Sequence, residues 1–354
     1  MKNVVFLPDY TKGNPYQNLL ADALKNEGWS VEIRDYPEGT LPLQSIINRN
    51  RHLDVIHIHW ITPIVAKMMW SQSKPIFLVK LFLLWLDVSL AKLRGKTVVW
   101  TIHNKFSHQQ FERKKETIIR RMLFRTVNKV ITHGDKATAV IANAYGISNT
   151  TKATSVLHGN YEGCYPKPSA EKDALRRELG IPANASVILC FGILRPYKGI
   201  EDIVKAVNSV GNKNIVLYIA GAVHDQNYAN TLTELANENS NILLKFEFLE
   251  DQALIDALHS SDVVACPFSS TLTSGSVILA MTEGKALILP KSAEILDSIT
   301  PNGILTYSSQ NQLETIVHQL DVAKLADMGA VNAKRAKEFS WQSVGKLTSK
   351  VYEK

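Results

Sequence analysis

The chain has 354 residues, 45% hydrophobic and 21% charged, which is the make-up of an ordinary globular enzyme of about two domains, each long enough to bury a core. Its three cysteines, Cys164, Cys190 and Cys266, are far apart and form no Cys-x-x-Cys pair, which excludes a disulfide framework or a structural zinc site and fits a reducing cytosol. The net charge of +7 is uneven: residues 1–170 carry 23 Lys and Arg against 12 Asp and Glu, and the remainder 17 against 21. A basic first half and a mildly acidic second half predict two domains with different partners, the first suited to nucleic acid, anionic lipid or a phosphorylated acceptor.

The N-terminal MKNVVFLPDY is too short an apolar run for a signal peptide and meets Asp9 at once, so it reads as a buried first strand. Short, continuous apolar strands are predicted at 3–8, 31–36, 54–60, 97–103, 129–133 and 153–158, separated by helical patterns such as 15–27 and 110–126. Runs of this kind suit parallel strands buried on both faces, and their alternation with helices predicts a parallel α/β sheet. The segment 160–170, with two prolines and a glycine, reads as a linker. A second series follows: strands 185–191, 215–220, 242–247, 262–266 and 286–289, with helices 200–210, 226–238, 251–260 and 275–284. Two such domains, 1–165 and 166–338, with a last helical segment 339–354 crossing back to the first, predict two Rossmann-like domains facing a central cleft, into which the carboxyl ends of the strands point.

Residues 76–94 form a long apolar run broken by Lys80 and Asp87 and followed by Lys92, Arg94 and Lys96. Two readings are open: a half-buried helix of the domain, or an interfacial helix lying in a membrane surface. The next helix interleaves Arg113, Lys114, Lys115, Arg120, Arg121 and Arg125 with Ile118, Ile119, Met122, Leu123 and Phe124. It reads either as a docking face for anionic lipid or as a solvated face of an ordinary helix. Few aromatic residues interleave with these charges, which argues against nucleic acid.

Two segments carry candidate chemistry. In FGILRPYKGIEDIV (191–204) a strand ends at Gly192, and Arg195 and Lys198 follow in the loop before a helix. Two cations at the carboxyl end of a strand suit a diphosphate, with arginine as a bidentate donor and lysine as a point charge. In PFSSTLTSGSVILAMTEGKALILP (267–290) the run Thr271, Thr273, Ser274, Gly275 and Ser276 leads into an apolar helix. Hydroxyls, a glycine and free helix-start N–H groups make an anion site, although one such residue would serve as a simple N-cap.

These segments, with LEDQALIDALHSSDVVACPF (249–268) and the terminal EFSWQSVGKLTSKVYEK, resemble the bacterial GT-B glycosyltransferases that use nucleotide sugars. The resemblance covers the second half; the first half follows only in pattern, through DVIHIHW and TVVWTIHN. It implies that Arg195 and Lys198 hold the donor diphosphate, with Gly192 beside them. It also implies that backbone near Phe248 meets the nucleobase, and that Thr273, Ser274, Gly275 and Ser276 lie near the phosphates and the donor sugar. His103 stands where the family has a histidine near the transferring sugar. Many retaining members place two glutamates eight positions apart; here those positions read Thr271 and Leu279, and Glu283 is not the matching position. The TSGSVILAM form is closer to exopolysaccharide β-glycosyltransferases, including β-mannosyltransferases of xanthan-type assembly, which implies inversion.

Inversion needs a base for the acceptor hydroxyl, expected in the first domain. His103 and Asp9, each at the end of a strand, are the catalytic candidates. His59, with Gly13, Asn14 and Tyr16 from the loop after Asp9, is expected on the acceptor side. His57 and His59 are expected to point to opposite faces of their strand and so to form no joint metal site. No cofactor and no metal are expected. The implied partners are a GDP- or UDP-linked sugar, a lipid-linked saccharide and an anionic membrane surface, with the enzyme cytoplasmic and peripheral on the inner face of the cell membrane. A nucleotide-sugar epimerase of the same fold and a non-catalytic sugar-nucleotide-binding protein are the alternatives.

Overall fold

The computed structural model of the chain describes residues 1–70, 73–107, 111–212, 214–236, 239–268, 272–291 and 297–353. It divides into two compact units, Met1–Gly159 with Ser340–Lys354, and Asn160–Phe339.

The first unit is built on six parallel strands: β1 (Lys2–Leu7), β2 (Trp29–Ile33), β3 (Val55–Ile58), β4 (Thr97–Ile102), β5 (Lys129–Thr132) and β6 (Ala153–Ser155). Their order in the sheet is β2-β1-β3-β4-β5-β6. The central strands are mostly apolar because helices cover both faces; Phe6, Ile56, Val99 and Val130 are fully buried. The helices are α1 (Tyr16–Asn26), α2 (Pro42–Arg49), α3 (Thr62–Met69), α4 (Lys74–Leu93), α5 (Arg113–Thr126) and α6 (Asp135–Tyr145).

The second unit has strands β7 (Ser186–Phe191), β8 (Ile215–Ala220), β9 (Ile242–Lys245), β10 (Val263–Ala265), β11 (Ala286–Pro290) and β12 (Ile304–Tyr307), ordered β12-β11-β10-β7-β8-β9 and all parallel. Edge strand β12 is not among the predicted strands; it is mostly half-exposed and has no continuous buried run. Helices α7 (Lys172–Glu178), α8 (Ile200–Val210), α9 (Gln226–Ala236), α10 (Asp251–Ser260), α11 (Gly275–Thr282), α12 (Gln310–His318) and α13 (Val322–Lys337) complete the unit. Two residues of the sequence-predicted linker are anchored here: Asn160 N donates to the Phe339 carbonyl at 2.9 Å, and Tyr161 N to Thr282 Oγ1 at 3.2 Å. The last helix, α14 (Trp341–Glu353), belongs to the first unit, where Trp29 Nε1 donates to Ser349 Oγ at 2.9 Å.

In each sheet the chain winds one way and then reverses, between β1 and β3 in the first unit and between β7 and β10 in the second. Open parallel sheets bind ligands outside the carboxyl ends of their strands at such a reversal.

The long apolar run is helix α4, and its two charges are explained by the fold. Asp87 is buried and accepts from Leu43 N at 2.9 Å and Gln44 N at 3.1 Å, capping the start of α2. Lys80 donates to the Lys67 carbonyl at 2.7 Å. Phe77, Val88 and Ala91 face the core, while Ile76, Leu78, Val79, Phe82 and Trp85 are exposed. Among the described residues no helix is long and apolar enough to cross a membrane. Helix α5, read from its sequence either as a docking face or as a solvated face, directs several of its charges to the protein itself. Arg120 and Glu116 form a buried ion pair at 2.8 Å, Arg121 donates to the Tyr145 carbonyl, and Lys115 pairs with Glu112 at 2.6 Å. Much of its charge is therefore spent on protein contacts.

Candidate functional site

In the second unit the residues of the sequence motif converge at the reversal point. The loop after β7 turns at Gly192 with φ 86°, a left-handed conformation that glycine adopts without steric cost. A Cβ there would lie 3.2 Å from Lys198 Nζ and 3.5 Å from Ser276 Oγ, so a group approaching the Gly192 backbone meets both side chains. Gly199, at φ 64°, packs so closely on the Pro267 carbonyl after β10 that a Cβ would collide with it. This contact locks the β7 loop to the neighbouring strand end. Lys198 is 9% exposed, and Nζ donates to the Phe191 carbonyl at 3.1 Å. No carboxylate pairs with Lys198 or Arg195 among the described residues. Burial pulls the Lys198 pKa down, against the pull of the Cys266 and Cys190 thiols. A buried ammonium without a counter-ion is costly unless an anion joins it.

Ser274 is the N-cap of α11, its Oγ accepting from Val277 N at 3.4 Å; that leaves Gly275 and Ser276 as the first residues of the helix. Gly275 packs against Tyr161, whose hydroxyl would lie 2.9 Å from a Cβ there. Thr273 is half-exposed just ahead of the cap. Thr271, named in the sequence motif, lies outside the described residues. Leu279 is buried on α11. Phe248 stands apart, exposed on the loop after edge strand β9.

In the first unit five histidines gather where β3, β4, β5 and β6 end. His57, His59, His103, His133 and His158 are all buried. Tyr16, the first residue of α1, touches four of them, with ring centroids 4.9 Å from His103, 4.9 Å from His158 and 5.8 Å from both His59 and His133. Trp60 stacks on His103 at 4.3 Å, and Trp341 lies 5.3 Å from Tyr16. Ring nitrogens meet directly: His59 Nδ1 is 3.4 Å from His103 Nε2, and His103 Nδ1 is 3.1 Å from His133 Nε2. His57 is tied to Tyr352 Oη and to Thr101 Oγ1, each at 2.6 Å. Burial holds all five neutral. It depresses His57 and His133 to about 3 and His158 to about 4, and pushes His59 and His103 well down, with neighbouring histidines adding to the effect on His57, His59, His103 and His133.

The structure corrects one expectation here. His57 and His59 do not point to opposite faces; their rings lie 4.0 Å apart, because residues two apart in a strand project to the same face. No cluster of three or more potential ligands suited to a metal ion occurs among the described residues. His57, His133 and His158 were not among the sequence candidates. The signal available was their common position at the ends of successive strands.

Other predicted residues serve the loop after β1. Asp9 is exposed, and its carboxylate accepts from Thr11 N at 2.9 Å and Thr11 Oγ1 at 2.6 Å, which lowers its pKa. Asn14 Oδ1 accepts from Tyr16 N at 3.0 Å at the start of α1, and Gly13 is exposed in the turn before it. These are turn and cap contacts. The loop after His103 is held from α5: Arg120 donates to the Asn104 carbonyl at 3.2 Å, and Glu116 accepts from Ser107 N at 2.7 Å.

Residues 171–322 match the family described as Glycosyl transferases group 1. Over 96% of its length the chain is 22% identical to the GDP-mannose:glycolipid 4-beta-D-mannosyltransferase of Xanthomonas campestris pv. campestris, covering 88% of that protein. It is 27% identical over 53% of its length to a GDP-mannose-dependent monoacylated alpha-(1-6)-phosphatidylinositol monomannoside mannosyltransferase of Corynebacterium glutamicum, covering 52% of that protein. Among solved structures it superposes on Anabaena HepE in complex with UDP and glucose with a TM-score of 0.75 at 15% identity, covering all of both chains. The sucrose-phosphate synthase of Thermosynechococcus elongatus gives a TM-score of 0.76 at 14% identity, covering 100% of this chain and 98% of that one. At these identities the structural matches establish the fold.

Proposed function

We propose that the chain, which has the GT-B fold and whose residues 171–322 match the group 1 glycosyltransferases, transfers a hexose from a nucleoside-diphosphate sugar to a lipid-linked saccharide in surface polysaccharide assembly, with inversion. The observation that carries this reading is Lys198. A buried ammonium that no carboxylate neutralises among the described residues, beside Gly192 and Ser276 at the sheet reversal, is suited to receive a diphosphate. Arg195, likewise without a carboxylate partner among the described residues, adds a second cation from the same loop. The names of the mannosyltransferase relatives support GDP-mannose as the donor and a lipid-borne acceptor.

In the transfer the acceptor oxygen bonds to the anomeric carbon as the bond from that carbon to the diphosphate oxygen breaks. The nucleoside diphosphate leaves with the electron pair, and Lys198 and Arg195 stabilise the charge it gains. The acceptor proton goes to a histidine nitrogen of the first unit. His103 is the member we assign as base: it is neutral, ends a strand, and is held between Trp60, Tyr16 and two other histidines. Asp9 is the weaker candidate, since Thr11 occupies its carboxylate.

The exposed face of α4 supports an acceptor held at a membrane. Seven of the fourteen large exposed apolar side chains among the described residues lie between Trp70 and Leu93. Lys74 and Arg94, at the two ends of α4, are exposed beside them. Apolar and aromatic residues flanked by lysine and arginine suit the boundary of an anionic bilayer.

The donor assignment is tested by thermal denaturation with GDP, UDP, TDP and their sugars. A ligand that binds only the folded protein raises the melting temperature. GDP or GDP-mannose is expected to do so, and the absence of a shift with every nucleotide overturns the reading.

A further inference from the structure

We propose that His133 is a positioning residue that fixes the tautomer of His103, placing its proton on Nδ1 and its free electron pair on Nε2. The inference deepens the proposed reaction and rests on the assignment of the acceptor base to His103.

The chain of contacts runs in one direction. The Val156 carbonyl, just after β6, lies 2.9 Å from His133 Nδ1. A carbonyl oxygen can only accept, so His133 Nδ1 carries the proton. His133 is neutral at working pH because burial suppresses its charge, so its Nε2 is bare. His103 Nδ1 lies 3.1 Å from that bare nitrogen. If His103 Nδ1 were bare as well, two electron pairs would face each other across that distance. His103 Nδ1 therefore donates, and His103 Nε2 is left as the basic nitrogen. By the same argument His59 Nδ1, 3.4 Å from His103 Nε2, is a donor, which makes His59 Nε2 bare. Among the described residues His59 Nε2 has no partner, and a buried bare nitrogen costs less than a buried N–H with nowhere to donate.

The opposite polarity fails at the first link, because the Val156 carbonyl cannot donate. The long His59 contact is the one that an acceptor hydroxyl displaces. When His103 Nε2 takes the acceptor proton, the Nδ1 proton can move toward His133 Nε2 while His133 keeps its own bond to Val156. The positive charge is then shared between two rings. His133 holds the base in its working tautomer as the third member of a catalytic triad does.

The test is nitrogen-15 NMR of the full-length protein labelled at histidine, with the His103 and His133 signals assigned by their loss in His103→Gln and His133→Gln. At neutral pH both rings are expected as Nδ1–H tautomers with bare Nε2. A His103 ring protonated at Nε2, or on both nitrogens, overturns the proposal whatever the activity. If the tautomers are as stated and no sugar transfer is found with any donor, the proposed reaction fails and the positioning stands. Where transfer is measurable, His133→Phe is expected to lower kcat at least tenfold with the donor KM unchanged. His133→Gln, whose amide oxygen can accept from His103 Nδ1, should recover most of that loss. Equal kcat in wild type and His133→Phe would also overturn it.

Discussion

At the end of β7 the side chains that gather around a bare Gly192 backbone are Lys198 and Ser276, with Arg195 in the same loop. At the ends of β3 to β6 they are five histidines, Tyr16 and two tryptophans. Both groups lie at the carboxyl edge of a doubly wound sheet; the histidines and Tyr16 are buried, while in the second unit Lys198 is buried and Arg195 and Ser276 are half-exposed. The second unit buries positive charge, and the first buries titratable rings and keeps them uncharged. On the proposed reading, one architecture offers an anion receptor in one unit and a store of neutral bases in the other. The difference comes from which residues end the strands, since the strands themselves are equally apolar.

The contrast can be broken from the first unit. His103→Gln is expected to lower kcat about 10²- to 10⁴-fold, the usual worth of a positioned general base. The thermal shift produced by nucleotide should match wild type. A variant with near-normal kcat would mean that the histidine edge does not supply the base. Lys198→Met attacks the other side. It should lower transfer about 10²- to 10³-fold and abolish the nucleotide shift. Its melting temperature without ligand should be unchanged or higher, because an unpaired buried ammonium is removed. A full nucleotide shift in Lys198→Met would remove the diphosphate role.

Acid separates the two edges, because unfolding releases the buried histidines to take up protons in the mild range. His57 and His133 are depressed to about 3 and His158 to about 4, all below the unfolded value near 6.5. The unfolded chain then binds more protons than the folded one below that value. The stability these rings contribute is complete above pH 6.5 and is lost as the pH falls toward 4. Each proton is worth about 1.4 kcal/mol per pH unit, so these three give a slope of roughly 4 kcal/mol per unit near pH 5. Urea unfolding across pH 4.5–7.5 measures it, and a flat profile would contradict the neutral cluster. The smallest effect concerns α4. Phe82→Ser with Trp85→Ser should weaken binding to phosphatidylglycerol vesicles by about tenfold or more, because an interface that buries each side chain only in part yields less than the about 1.5–3 kcal/mol of full burial. Folding stability should move little, since both side chains are exposed. Unchanged sedimentation would reassign that face to another partner.

Much of this could be read along the chain. Continuous Val- and Ile-rich runs alternating with helices specify parallel sheets, because only strands covered on both faces need to be apolar throughout. The motif around Arg195 and Lys198 is local, so its spacing survives folding and points to the donor edge. The histidine cluster was only partly legible. His59 and His103 were singled out at strand ends, but His133 and His158 lie about 30 and 55 residues beyond His103, and nothing local links them. The same-face placement of His57 and His59 was available from strand geometry and was misread. On α5 the pattern showed six cations and could not show that Arg120 and Arg121 turn inward to hold loops.

The alternation of elements, the identity of the residues that end each strand and the uneven charge of the two halves were written in the order of residues alone. Those follow from short-range steric and hydrophobic rules that act over a few residues. The tertiary structure decided which ends become neighbours. Strand order placed β3, β4, β5 and β6 side by side and so stacked distant histidines; packing buried them and removed their charge. It also chose the inward face of α4, because Asp87 had the start of α2 to cap. Neighbourhood and desolvation depend on chain segments far apart in sequence, and they exist only once the sheet has closed around them.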